Sequence, residues 1–358
     1  VSPARAFAWW RRLVAVGVVL GALLEVSGAG PVSVAAVKET PLSDRYVFGW
    51  GFNGPQAVSS DGTHVWVANR YDTVTELSAS TGGLVRVISG SSCKFADPDA
   101  ISSDGTHVWV ANYQDRWLTE LAASTGGLVR VIFSGSSHRF VDARAISSDG
   151  THVWVAYPAN NRVTELSAST GKLVNVISGY DFDYPAAVSS DRTHVWVANE
   201  ISHTVIELSA STGGLVRVIS GSRHIVGYSA VGSPISSDGT HVWVTNPVNN
   251  RVTELSASTG KLVKVISGSS YNFDNPDAIF SDGAHVWVAN RYGNSVTELS
   301  ASSGKLVKVI SGSGYKFAGL EAVSSDGTHV WVANHYGNSV TELSASTGGL
   351  VRVISGSS

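Results

Sequence analysis

The chain has 358 residues, with 43% apolar and 15% charged side chains, 37 Gly and 10 Pro. That is enough apolar material for a sizeable core, and it excludes a disordered or collagen-like chain. A formal charge of -3 gives no general electrostatic case for nucleic acid or an anionic membrane surface, and the single Cys93 excludes an internal disulfide framework or a paired-cysteine zinc site.

Residues 1–36 differ in composition from the rest. Arg5, Arg11 and Arg12 precede an uncharged apolar run, Leu13 to Leu24, of 12 residues. A transmembrane helix needs about 20. Small residues follow, and Val34-Ala35-Ala36 offers a cleavage site, so the expectation is a secretory signal peptide over 1–36. A leader, 37–56, then runs into a repeat domain, 57–358. The expected location is secreted or cell envelope, with no membrane insertion of the mature chain.

The repeat decides the fold. The phrase Asp-Gly-Thr-His-Val-Trp-Val starts at Asp61, Asp104, Asp149, Asp191, Asp238, Asp282 and Asp326, with Arg192 and Ala284 as its only departures. The spacings are 43, 45, 42, 47, 44 and 44 residues. In the first copy, Val-, Ile-, Thr- and Trp-rich segments predict strands at Ala57–Ser60, His64–Asn69, Thr73–Ser78 and Leu84–Ser89. Asp61-Gly62 and Ser-Thr-Gly-Gly at 80–83 supply the hairpin turns. Four strands every 44 residues or so, seven times over, predict an all-β, seven-bladed β-propeller with four antiparallel strands per blade. The first and last copies are as apolar as the middle ones, which suits a closed ring better than an open solenoid needing polar caps. Arg45–Phe48 could add a further strand beside the last blade.

Phe95-x-x-Pro98-x-Ala100-Ile101, followed by Ser-Asp-Gly-x-x-Val-Trp-Val-Ala-Asn, resembles the NHL and YVTN repeat propellers, and the streptogramin (virginiamycin B) lyase family has a similar ring. The resemblance covers residues 45–358. It implies the propeller fold, whereas activity varies from enzymes to binding scaffolds among such rings.

Residues common to all copies are read as structure. The seven tryptophans of the phrase, each burying about 150–250 Å², should stack the blades. Ser60, Asp61 and His64 are residue types of a hydrolase triad, but seven equivalent turns supply no single cleft or oxyanion hole. An Asp–His hydrogen bond pinning the first hairpin is expected instead. Glu76 and Arg86 should form an exposed pair on the second hairpin, worth about 0.2–1 kcal/mol and guarding the edge strand. Six copies keep such a pair, and Asn175 breaks it in the third. The connection phenylalanines Phe52, Phe95, Phe140, Phe273 and Phe317 should plug gaps between blades.

Variation concentrates in the second-to-third-strand loops and in the blade connections, which open on one side of the ring. Loops on a rigid scaffold are where binding residues sit, and these are rich in the Tyr, Trp and Arg of binding hot spots. The candidate ligand-binding residues are Arg70, Tyr71, Tyr113, Trp117, Tyr157, Tyr292, His335 and Tyr336. Candidate catalytic residues are Glu200, His203 and His224, flanking the fourth blade, where imidazoles and a carboxylate could bind a divalent metal or carry protons. A streptogramin lyase resemblance implies a His/Glu group with magnesium on such a face, but its motif does not align residue by residue with these three. The favoured reading is an exported binding scaffold for a protein, peptide or small-molecule ligand. It would be a monomer needing no metal or cofactor, and a lyase-type or other metal-assisted enzyme is the alternative. No Gly-rich segment follows a strand into a helix, so no phosphate loop is expected. The Trp that ends quinoprotein repeats is missing from Leu84–Ser89, so no quinone is expected either.

Overall fold

The computed structural model describes residues 50–114, 117–133, 142–220, 225–227 and 234–356. The 1–36 segment and Arg45–Phe48 lie outside the described residues, as do Phe140, His224 and the variable-loop residues Arg116, Arg223 and Tyr228. Among the described residues, no helix is long and apolar enough to cross a membrane.

The first blade is built from β1 (Pro55–Ser60), β2 (His64–Asn69), β3 (Thr73–Ser78) and β4 (Leu84–Ile88), paired antiparallel in sequence order. Six further four-stranded sheets repeat it, so the protein is an all-β, seven-bladed propeller. In every blade the strands pair in chain order, and among the described residues none is borrowed from another blade.

Both faces of each blade are buried, which is why β2 reads as a continuous apolar run rather than an alternation. Trp66 and Ala68 pack toward the second blade, against Val108, Val110 and Leu121. Val65, Val67 and Leu77 pack the other way, against Trp331 of the seventh blade. All seven repeat tryptophans are fully buried. At about 25 cal/mol per Å² each contributes roughly 4–6 kcal/mol before entropy is subtracted. Phe273 sits in the gap between the fifth and sixth blades, with Trp243 on one side and Ile279 and Val286 on the other.

Polar links follow the same geometry. The Ser103 N–H donates to Ser59 Oγ at 3.0 Å, and its hydroxyl donates to Asp61 Oδ2 at 2.7 Å. The joints from the second blade through the sixth repeat both bonds. Phe280 is the exception, having no hydroxyl to offer the seventh blade. Closure uses the same vocabulary. Ser60 N–H donates to Ser324 Oγ at 3.1 Å, Gly54 N–H donates to Asn338 Oδ1 at 2.8 Å, and Phe52 and Val58 join the Trp331 cluster.

The repeat aspartates hold the first hairpin chiefly through backbone. Asp61 Oδ1 accepts the N–H groups of Thr63 and His64 at 3.0 and 2.8 Å. The His64 ring stays 3.7 Å from that carboxylate, and only His107 closes to 3.3 Å. Burial pushes the Asp61 carboxyl up, but hydrogen bonds from His64, Ser103, Thr63 and Trp66 outweigh it and hold the pKa below the ordinary value.

The exposed Glu–Arg pair is corrected. Glu76 lies directly across from Trp66 in the β2–β3 ladder, so its carboxylate is turned onto the face that the next blade covers. It is fully buried, with Arg86 Nε 2.7 Å away and His64 Nε2 at 3.7 Å. Gly126 of the second blade caps it: a Cβ there would lie 2.6 Å from Arg86 Cδ and 3.0 Å from Glu76 Oε2. The pair is therefore part of the joint between blades. Burial pushes Glu76 up, and Arg86 and His64 only partly offset it.

Candidate functional site

The β2–β3 loops and the blade connections meet at one rim, in a backbone lattice. The first residue after the second strand of a blade donates its N–H to the preceding connection: Arg70 to Gly54, Tyr113 to Asp97, Glu200 to Tyr184, Arg291 to Asn275 and His335 to Gly319, at 2.9–3.1 Å. Those connection residues share a left-handed backbone, with φ of 53° at Asp97 and 60° at Tyr184, as well as at Gly54 and Gly319. An Asp or Asn from the preceding blade latches each one. Asp72 accepts from Asp97 N–H at 3.0 Å, Asn161 from Tyr184 at 2.9 Å and Asn294 from Gly319 at 2.9 Å. His203, also left-handed with φ 55°, holds the latch position in the fourth blade.

This lattice presents two rings of side chains to the axis. The upper ring follows each second strand: Arg70, Tyr113, Pro158, Glu200, Pro247, Arg291 and His335. Among the described residues the lower ring is the second residue of the innermost strand in five blades, Gln56, Asp99, Ala186, Asp277 and Glu321, and in the third blade Arg144, which stands just ahead of that strand at the matching repeat position. Glu321 of the seventh blade feels Arg291 and Asp277 of the sixth, Asp99 of the second and Arg70 of the first, a reach that only positions around the axis allow.

Arg291 knits one side of the mouth. Its Nη1 is 3.3 Å from Asp277 Oδ2, and its Nη2 is 2.8 Å from Glu321 Oε1 and donates to Tyr336 Oη at 3.1 Å. The Tyr336 ring lies 5.8 Å from the guanidinium carbon. Across the axis Arg144 stands over the Tyr113 and Tyr184 rings at 5.3 and 6.0 Å, with Asp142 at 3.9 Å. Arg70 pairs with Asp97 at 3.3 Å.

Carboxylates outnumber guanidiniums, and burial raises the cost of each charge. Asp99, deeply enclosed but with some solvent access, is pushed up to about 7 by burial, against the pull of Arg144 and with repulsion from Asp97 and Asp142. Glu321, buried, is pushed up to about 8 by burial that Arg291 only partly offsets. His335 is pushed down by burial and by Arg70 and Arg291, which keeps it neutral.

Of the residues expected from sequence, Arg70, Tyr113, His335 and Tyr336 come together here. Tyr71 and Tyr292 are exposed, at 62% and 67%; Tyr336 is as exposed, and it is the hydrogen bond from Arg291 that ties it to the mouth. Trp117 opens the third strand of the second blade, where its indole N–H donates to Lys94 O and its ring packs edge-on to Phe133 at 5.8 Å. Tyr157 is corrected. It is the last residue of a second strand, occupies the position that is Asn in the other copies, and is fully buried with its hydroxyl accepting from Thr164 at 3.3 Å. A surface ligand cannot reach it. Glu200 is buried in the upper ring. Its grouping with His203 and His224 falls partly outside the described residues, and among those described no cluster of three His, Cys, Asp or Glu could hold a metal. Sequence reasoning missed Asp97, Asp99, Asp142, Arg144, Asp277 and Glu321. Aligning the seven copies would have found the lower ring, the one inner-strand position that changes charge from blade to blade.

The opposite rim holds an axial cavity of about 560 Å³ lined by the repeat Ser and Asp residues. Those aspartates are engaged by turn N–H groups and neighbouring serines, so that cavity is framework. A groove of about 750 Å³ between the last two blades includes Lys316 and Phe317.

The fold and rim define a seven-bladed propeller with a polar axial mouth on its variable side. Its structural neighbours include a catalytically inactive virginiamycin B lyase from Staphylococcus aureus crystallised with quinupristin (15% identity, 81% of this chain and 94% of that chain, TM-score 0.67). The hydrazine synthase of Kuenenia stuttgartiensis (18%, 88% and 99%, TM-score 0.65) and a computationally designed protein (14%, 86% and 88%, TM-score 0.63) share the fold as well. No family model and no curated protein matches the chain.

Proposed function

We propose that this is an exported binding propeller that takes a ligand or protein partner at the axial mouth of its variable rim. The observation that carries the reading is the two-ring cluster. Nearly identical blades surround a mouth whose side chains vary from blade to blade, several of them charged and buried. Burying Arg291, Asp277 and Glu321 costs several kcal/mol per ion before pairing offsets it, and apolar residues at those positions would stabilise the ring at least as well. Such a cluster on a rigid frame suits recognition. Export rests on the pattern of residues 1–36.

The test is a thermal-shift screen of small molecules and peptides against the wild type and an Arg144→Ala/Arg291→Ala variant, with folding checked by circular dichroism. Hits that stabilise only the wild type support the reading. Hits that stabilise both equally reject the axial mouth. The alternative, a lyase-type or other metal-assisted enzyme working from Glu200, His203 and His224, draws support from Glu200 in the upper ring. His203 stands at the latch position of the fourth blade, with φ of 55°.

A further inference from the structure

Buried acceptor atoms of the mouth without a hydrogen-bond partner include Gln56 Oε1 and Glu321 Oε2. Both side chains are more than nine-tenths buried, at 5% and 1% exposure. They occupy the same position on the neighbouring innermost strands of the first and seventh blades, which the Ser60–Ser324 hydrogen bond holds side by side. A buried acceptor left unmade costs about 1–3 kcal/mol, and two together point to a missing donor. The surrounding ionisable groups are unbalanced as well. Five carboxyl groups, Asp97, Asp99, Asp142, Asp277 and Glu321, face the three guanidiniums of Arg70, Arg144 and Arg291, an excess of acidic groups that becomes negative charge once Asp99 and Glu321 give up their protons.

Resting on the axial mouth as the binding site, we propose that its ligand carries a protonated amine, whose N–H donors engage Gln56 Oε1 and Glu321 Oε2. An ammonium supplies up to three donors and a positive charge, matching both the orphan acceptors and the acid excess. An anion would meet carboxylates, and a bare metal ion would have Arg70 and Arg291 among its neighbours. Two carboxyls that hold protons near neutral pH must release them when a cation arrives. Affinity should therefore rise with pH up to about 8, where Glu321 ionises, and level off above it. The groups that set this titration are Arg291, Asp277, Asp99 and Arg70 around Glu321, and Arg144, Asp97, Asp142 and Arg70 around Asp99.

The experiment is isothermal titration calorimetry of the full chain with n-butylammonium, tetramethylammonium, n-butyrate and calcium chloride, in two pH 7.5 buffers of different ionisation enthalpy. The expected result is binding of n-butylammonium with proton release, weakened about tenfold or more in Glu321→Gln and also in Gln56→Leu, with both variants folded. Tetramethylammonium, which has no N–H, should bind at least tenfold more weakly. Equal binding of the two cations, calcium displacing n-butylammonium, or no binding of n-butylammonium would each overturn the proposal. Butyrate binding that is lost in Arg291→Ala would overturn the ligand class while leaving the axial mouth standing as a binding site.

Discussion

The third blade contains a natural deletion of the buried ion pair that joins its neighbours, and restoring it should stabilise the ring. In the first, second, fourth and seventh blades an arginine Nε lies 2.7–2.8 Å from the buried glutamate. In the third, Glu165 faces Asn175 in the ladder, and the nearest side-chain nitrogen of an ionisable group is His152 Nε2 at 3.6 Å. Gly213 lies over this pair, as Gly126 and Gly171 lie over Arg86 and Arg130, so the space for an arginine stem is already present. A hydrogen bond to a charged group contributes about 1.5–3 kcal/mol, and ordering an arginine costs about 1.5–2 kcal/mol. Partial exposure screens the gain, leaving a net of about 0.5–1 kcal/mol for Asn175→Arg. The converse, Arg130→Asn, leaves the buried Glu120 to His107 and should cost about 1–3 kcal/mol. Urea unfolding followed by tryptophan fluorescence reads both, and placing Asn175→Arg in a Glu165→Gln background should abolish the gain. A lower midpoint for Asn175→Arg, or no change for Arg130→Asn, would refute the claim that these arginines hold the blade joints.

Two further predictions use the same assay. Gly126→Ala should destabilise by about 1–3 kcal/mol, because φ is +63° and the new methyl meets Arg86 Cδ at 2.6 Å. Gly62→Ala, with φ +85° and open space around it, should lose only the backbone part, so equal losses would discount the contact. Glu321 has a folded pKa of about 8, above its ordinary 4.5. The native state then holds a proton that the unfolded chain releases, and stability falls as pH rises from about 4.5 to about 8 and levels beyond, by at most about 1.4 kcal/mol per pH unit. Glu321→Gln should be flatter than the wild type across pH 5–8, and parallel curves would mean that Glu321 does not titrate there.

How much of this could be read beforehand depends on how many copies vote. Strand positions, the Trp stacking and the closed ring were legible because every blade states them. The Glu76–Arg86 pair was seen but placed outside. The strand ladder alone says that Glu76 faces Arg86, and only the arrival of Gly126 from the next blade reveals that this face is covered. Tyr157 misled because Tyr is common in loops, whereas its register with Asn69 and Asn112 marks it as the buried end of a strand. The lower axial ring was missed for the opposite reason. Six blades contribute one described residue each, about 45 positions apart where neighbours are both described, and Asp99 or Glu321 taken singly looks like an ordinary strand polar residue.

The positions where this repeat departs from itself follow from what each position touches. Trp66, Val67, Ser59, Asp61 and Gly126 each contact the neighbouring blade through partners that are themselves repeated, so a change there must be matched next door and, by the same logic, around the ring. Gln56, Asp99, Arg144, Asp277 and Glu321 look across the axis, where the opposing residue belongs to a different blade and no repeated partner constrains it. Those positions were free to vary from blade to blade while the frame stayed uniform. Phe280 supports this ordering. It breaks one serine link, its ring is taken up in the cluster around Trp287 and Val330, and the joint survives because apolar contact there does what the lost hydrogen bond did elsewhere.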